Sequence, residues 1–385
     1  MLTNIGFEMF KNLLLIMIFV QGCITSSDDS GDLDNLELSS ESKTIDLYGG
    51  DLKLTLNDVY RVTSAPNSRH FDFAIDLRRL SPLSCRLAPN ETESPQASSK
   101  IEDSFKEIFN RNHRSGYLPS FKFDFKGQYP GALIVNRHGS GAEFAFEKVA
   151  FAFLRDFTLR CSHNGSWEPE AFLSYVRAIN KSIKLSFKNK TLMSRRIYKL
   201  KSGGVVKGFE NHYLWKKGDT FYSEKVLSSI DIEKKENLGA LDRFERMEWN
   251  GTGELVLGRY SSSKNKSSLY NLSLNPLGGG MFIVSGTIQG QNFQRRIDGP
   301  RYPVLPFWDV GNVKELDRIS IYNPNHKTKG FFNVVLSKHK EKVHKLSSRY
   351  FKSFVYYDND GYPRTIVYRY QGTNYIKSLV SRTQK

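Results

Sequence analysis

Cys161, His163 and His138 are the side chains whose types and spacing could do nucleophilic chemistry in this chain. They sit in two short stretches, LRCSHNG at 159–165 and NRHGSG at 136–141. A cysteine attacks as its thiolate, so it needs a base within reach and a third group that orients that base. It must also be free, and Cys85 is available to remove it as a disulfide. Metal chemistry finds less support. Cys161 and His163 are two apart, and the other histidines form no i,i+4 ligand pair on a helical stretch. No glycine-rich phosphate loop opens a helix; PLGGG at 276–280 reads as a turn between strands. No cofactor and no metal is expected.

The two stretches resemble the His-Gly and Ser-His-Gly-Cys elements of L,D-transpeptidases, enzymes that cross-link peptidoglycan. Here a histidine follows the cysteine, and no Ser-x-Gly precedes it. The resemblance implies a cell-wall-modifying cysteine enzyme as an alternative reading, and a Cys85–Cys161 bridge would sink it.

The third cysteine, Cys23, closes a different pattern. An apolar run of eight residues, Leu13 to Val20, follows Lys11 and Asn12. A helix that crosses a bilayer needs about 20 apolar residues. A basic start, a short apolar core and small residues at a cleavage point have the anatomy of a secretory signal. The stretch VQGC, 20–23, resembles the lipobox of bacterial lipoproteins, with Gly22 small before the thiol and Gln21 departing from the usual small or apolar choice. The resemblance implies removal of residues 1–22 and a diacylglycerol on Cys23, which becomes the new N-terminus. Ile24, rather than Asp, follows it, which in two-membrane bacteria favours the outer membrane. Residues 24–43 are rich in Ser, Asp and Glu without an aromatic, so 23–43 reads as a flexible tether. The membrane, reached through this lipid, is the expected partner. With Cys23 taken, Cys85 and Cys161 remain as a pair in an oxidising compartment. A disulfide is expected, against the alternative of two buried thiols.

The remaining chain is too long for one ordinary core, so two domains are the default. Charge supports a boundary near 190. Residues 191–385 carry 33 Lys and Arg against 17 Asp and Glu, so the formal net charge of +16 falls on that half. An export address excludes nucleic acid despite the basic balance. Seven Asn-x-Ser/Thr sequons, the first at Asn90, would be glycan sites in a eukaryotic secreted protein; the lipobox argues for a bacterial one.

The elements that would position these groups divide at the same place. Apolar alternation at Leu52, Leu54 and Leu56, and again at Phe71, Phe73, Ile75 and Leu77, predicts strands over 44–90. Three helices are predicted next. One carries Ile101, Phe105, Ile108 and Phe109, with Ser99 and Glu102 as a capping box. A second carries Phe146, Val149, Ala150, Phe153, Leu154 and Phe157 at helical spacing, and a third runs from Glu168 to Lys181. From 191 on, short Val-, Ile-, Tyr- and Phe-rich runs alternate with turns such as SGG at 202, QGQN at 289 and DNDG at 358. DNDG is a hairpin turn rather than a calcium loop, since Tyr356 and Val367 stand where end carboxylates would be needed. The predicted fold is an α+β N-terminal domain over 44–190, followed by a mainly antiparallel β-meander or half-barrel domain over 191–385.

RMEWNG at 246–251, Trp308 in the Pro-rich YPVLPFWDV, and the YDNDG hairpin at 357–361 resemble uncharacterised bacterial periplasmic meander families. Their sheet is similar in shape to the half-barrel of lipoprotein-localisation carriers. That resemblance implies a concave face able to hold an acyl chain. One further signal is the basic run over 326–352, with Lys327, Lys329, Lys338, Lys340, Lys342, Lys345, Arg349 and Lys352. These eight would contact polyanions such as phospholipid headgroups, lipopolysaccharide phosphates or wall polymers. The plainer reading is a solvated hairpin face with Phe331, Phe332, Val334 and Leu336 in the core. The expected function is non-catalytic binding of an apolar or anionic envelope ligand. The alternatives are a surface scaffold that engages a protein or the wall, and the cysteine enzyme.

Overall fold

Leu52, Leu54 and Leu56 alternate with polar neighbours, and all three point into a core. The structure is a computed structural model. It describes residues 42–57, 60–65, 69–76, 81–93, 95–112, 118–140, 143–187, 189–234, 237–304, 317–324, 330–349, 352–370 and 372–384. Cys23 with its leader and tether, Lys327, Lys329 and Trp308 lie outside the described residues.

Up to residue 187 the chain forms β1 (Ser42–Leu47), β2 (Leu52–Asn57), β3 (Tyr60–Val62), β4 (Phe71–Ile75), β5 (Leu83–Pro89) and helix α1 (Ala97–Asn112). Then come β6 (Ser120–Asp124), β7 (Gly131–Ser140), β8 (Glu143–Phe153), β9 (Phe157–Gly165), helix α2 (Pro169–Ser182) and β10 (Ile183–Leu185). Strands β1-β2-β10 make a small sheet, and β3-β4-β5-β9-β8-β7-β6 a seven-stranded one.

The helix predicted over 146–157 is overturned: most of that stretch is strand β8, hydrogen-bonded between β7 and β9. Both of its faces are covered. Ala150, Ala152 and the adjoining Leu154 enter one core with Phe71, Leu87 and the Phe172 and Val176 of α2. Val149, Phe151 and Phe153 enter a second core with the Ile101, Phe105 and Ile108 of α1. A strand buried on both faces is a nearly unbroken apolar run, and a helical spacing can always be picked out of one.

The rest is one sheet of fourteen antiparallel strands. These are β11 (Thr191–Ser202), β12 (Val205–Lys217), β13 (Thr220–Lys234), β14 (Asn237–Trp249), β15 (Leu255–Lys264), β16 (Ser267–Gly278), β17 (Met281–Ile288) and β18 (Gln291–Asp298). They continue as β19 (Arg318–Tyr322), β20 (Phe331–Lys340), β21 (Val343–Ser347), β22 (Lys352–Tyr357), β23 (Pro363–Tyr370) and β24 (Thr373–Gln384). Every strand except β18 and β19 follows its sequence neighbour by a hairpin, while β11 also pairs with β24, from Ser194↔Gln384 to Ser202↔Tyr375. Tight turns take the residues they need. Gly203 and Gly204 sit at φ 55° and 80°, the left-handed pair that a two-residue hairpin uses. At 358–361, Asp358 Oδ1 accepts the N–H of Tyr362 at 2.8 Å and closes the β22–β23 turn.

The sheet curls until its two ends meet. Tyr260 of β15 lies 4.8 Å from Tyr322 of β19, and Phe282 of β17 lies 5.5 Å from Phe331 of β20, ring to ring. Ser320 N–H donates to Pro303 O at 3.1 Å. The concave face holds two apolar clusters, one around Tyr260, Leu272 and Val284 and one around Val334, Leu346 and Val355. Residues Lys43–Lys385 form one compact unit. The described molecule is therefore mostly antiparallel β, with two α-helices among the described residues.

Helix α1 is fastened between the sheets. Its apolar stripe meets Phe209, Ile230 and Leu238 as well as β7 and β8. Ser99 is not its cap, because the helix starts at Ala97. Instead the Asp242 carboxylate of β14 accepts the N–H groups of Ser98 and Ser99 at 3.1 and 3.2 Å, the Ser99 hydroxyl at 3.0 Å and the Ser228 hydroxyl at 2.6 Å. Those first-turn N–H groups have no partner within the helix. We predict that Asp242→Ala destabilises the protein by about 3 kcal/mol, a lost cap plus buried donors left bare. Urea unfolding measures it, and a change under about 1 kcal/mol would mean the carboxylate is dispensable.

Candidate functional site

The predicted nucleophile does not exist as a thiol. Cys85 of β5 and Cys161 of β9 stand opposite each other in register, with Cα atoms 4.1 Å apart, and are disulfide-bonded. The two histidines go separate ways. His163 Nε2 is hydrogen-bonded to Ser81 Oγ at 3.0 Å, and its ring packs edge-on against Trp167. Burial and the nearby Lys148 cation push its pKa down. His138 Nε2 bonds Asn164 Oδ1 at 2.9 Å. Lys148 carries a sharper signal than either. Its fully buried ammonium donates to the carbonyls of Phe146, Gly165 and Trp167 at 3.1, 2.9 and 2.7 Å, and burial lowers its pKa to about 8. Three carbonyls fix that amine as a brace for the β8–β9 end.

The basic run divides by strand parity. Phe332, Val334 and Leu336 point inward with Leu346, Val355 and Ile366. Lys338 and Lys340 are exposed at the far end of β20, and Arg349 is exposed after β21. Lys342 sits in the β20–β21 turn and donates to Asn359 Oδ1 at 2.7 Å. Lys345 lies in an outward cross-strand row, Ser337–Lys345–Phe354–Val367–Ile376. Lys352 is exposed, with its ammonium 5.3 Å from the Phe354 ring. On the same outward face Val335, Tyr356 and Ile376 are 44, 41 and 40% exposed. The lysines thus rim an apolar surface.

The concave face carries a charged belt that sequence reading missed. Glu210 and His212, adjacent on one face of β12, are 2.5 Å apart, Oε1 to Nε2. Lys377 Nζ from β24 donates to Glu210 Oε2 at 2.7 Å, and Lys225 Nζ of β13 to Glu245 Oε2 of β14 at 2.8 Å. Burial alone would raise the Glu210 carboxyl; Lys377, Lys225 and the His212 bond outweigh it and hold it well below the ordinary range. Burial drives His212 down to about 4, against the Glu210 bond that raises it. The belt lies among the inward residues of β11–β14 and β24, where an acyl chain crossing the concave face would run. A wide groove of about 740 Å³ on β14–β17 is no more lipid-like, with Ser261, Ser263, Asn271, Ser273, Ser285 and Thr287 along its walls.

No family model matches the chain, and no curated protein matches it. Among solved structures it is similar to a β-barrel-like protein of a domain of unknown function, DUF1849, from Brucella abortus. The identity is 10% and the TM-score 0.38, over 50% of this chain and 98% of that one. It is also similar to the Ran-binding protein Mog1p of Saccharomyces cerevisiae, at 11% identity and a TM-score of 0.24, over 38% of this chain and 96% of that one.

Proposed function

We propose that the protein is an envelope lipoprotein, anchored by a diacylglycerol on Cys23 in the outer membrane, which binds an anionic membrane surface and catalyses nothing. In this reading 44–190 is an α+β domain and 191–385 the β half-barrel that meets the ligand. The single observation behind it is the outward face of β20–β24, where Lys345 and Lys352 stand beside Phe354, exposed Tyr356 and exposed Ile376. Apolar side chains at a headgroup boundary and cations at its phosphates are complementary to an anionic bilayer. Lys340 extends the same charge, since it pairs with Val343 in the row of Tyr356, and Lys327, Lys329, Lys338 and Arg349 belong to the run in sequence. The charged belt of Glu210, His212 and Lys377 weighs against the acyl-carrier reading.

The test separates the surface from the anchor. A mature chain with Cys23→Ser is mixed with vesicles of phosphatidylcholine alone or with phosphatidylglycerol. Co-sedimentation is expected with the anionic vesicles only, and it weakens as salt shortens the Debye length. Each basic residue contributes about 1 kcal/mol, so Lys340→Gln, Lys345→Gln and Lys352→Gln together weaken binding roughly 100-fold. Equal binding to neutral vesicles, or no effect of the triple variant, rules the reading out. Intact mass of the native mature protein tests the lipid itself.

A further inference from the structure

Arg195, on β11, is 8% exposed. One of its terminal nitrogens donates to the Gln128 carbonyl, and its guanidinium stacks 4.3 Å from the Tyr129 ring centre. It forms no ion pair among the described residues. Arg155 and Arg177, set nearly as deep, each have a carboxylate: Glu224 for the first and Asp124 for the second. A buried cation without a counter-charge is held at a cost of several kcal/mol, and folded proteins rarely leave one so.

Arg195 also borders a pocket of about 290 Å³, where β10 and the segment after it meet β11, β12 and the end of β24. The lining contains no acidic side chain. Lys184 stands exposed on it and adds a second positive charge. Tyr213 borders it too, its buried hydroxyl without a partner among the described residues. Burial raises the Tyr213 pKa, so that phenol is a donor at any ordinary pH. Leu185, Phe187 and Leu192 form the apolar part of the wall. The volume is at the small end of ligand sites, about the size of a short organic acid.

We propose that this pocket binds a small organic oxyanion, a carboxylate or phosphate group on a short apolar body, with the charged end on Arg195 and the body against Leu185, Phe187 and Leu192. A planar guanidinium suits either group because it can offer two parallel donors. The site lies apart from the lysine-rimmed face of β20–β24 and stands or falls separately.

Thermal unfolding and titration calorimetry of the mature Cys23→Ser chain test it, with hexanoate, phenyl phosphate and inorganic phosphate as probes. Hexanoate or phenyl phosphate should bind saturably and raise the unfolding temperature, at least tenfold more tightly than inorganic phosphate. Arg195→Gln should weaken that binding at least tenfold. Leu192→Trp, which fills the pocket and leaves Arg195 in place, should abolish it. Arg195→Met should fold at least as stably as the parent without ligand, since it removes a buried charge that has no ion pair among the described residues. Three results would overturn the proposal: no binding of either organic probe at millimolar concentration, binding that survives Arg195→Gln, or inorganic phosphate binding as tightly as phenyl phosphate. A structural role alone would instead show as loss of stability in Arg195→Met, with no probe-dependent shift in the parent.

Discussion

Replacing Cys85 and Cys161 together by alanine lowers the unfolding free energy by about 4 kcal/mol, the loop-closure entropy of a bridge across this separation. The bridge spans 76 residues and ties β5 to β9, neighbours in the middle of the seven-stranded sheet. Both sulfurs lie in the core that also holds Phe71, Leu159 and Phe172, so alanine leaves no buried polar atom behind. Urea unfolding gives the value, and a reductant supplies the control. Dithiothreitol should shift the parent by about the same amount and the double variant not at all. A parent that reductant leaves unmoved, with its bridge verified as broken, would place the loss in packing rather than in the cross-link.

Glu210→Ala is expected to cost about 3–5 kcal/mol, because it removes the buried carboxylate to which both Lys377 and His212 are bonded. The same belt sets an acid limit. An unfolded-chain histidine titrates near its ordinary value of 6.5, while His212 in the fold stays neutral to about 4. Between those values the unfolded chain takes up a proton that the folded protein refuses. The contribution is therefore complete above pH 6.5 and is lost as pH falls toward 4, amounting to about 3 kcal/mol. Glu210, with its pKa depressed, acts in the same direction at lower pH: its stabilisation is present above the ordinary carboxylate value of 4.5 and lost as pH falls through the folded one. His212→Gln keeps a donor toward Glu210 and cannot titrate. It should reduce the stability difference between pH 7 and pH 5 by about 2 kcal/mol. An unchanged difference would mean that His212 is protonated in the fold.

Local signals were legible in the sequence, and long-range ones were not. The turn at 358–361, the stripe of α1 and the alternation at Phe71, Phe73 and Ile75 all depend on neighbours in the chain, and each formed the element its spacing predicts. Strand β8 was misread because burial on both faces removes the period that separates strand from helix. Asp242 could not be read as a cap, since the N–H groups it serves are 144 and 143 residues away. Glu210 and His212 did leave a trace, acid and imidazole two apart in an apolar run, which in a strand means one face. Their partner Lys377 lies 167 residues on, beyond any window. Arg195 left none: in the sequence it is one of 56 cations, and only the fold buries it away from any carboxylate partner among the described residues.

The pairing of β11 with β24 governs how this protein must be made. From β11 to β18, and again from β19 to β24, each new strand can dock on the one before it as the chain emerges, but the other flank of β11 waits for Tyr375–Gln384. Until then β11 presents an unpaired edge of about nine residues, open to pairing with another chain. Closing that seam is a contact of very high sequence separation, and such contacts are slow. The half-barrel therefore completes in one late step rather than by progressive growth. A chain in which β24 arrives late, or pairs poorly, is an aggregation hazard through β11 before it is a loss of function.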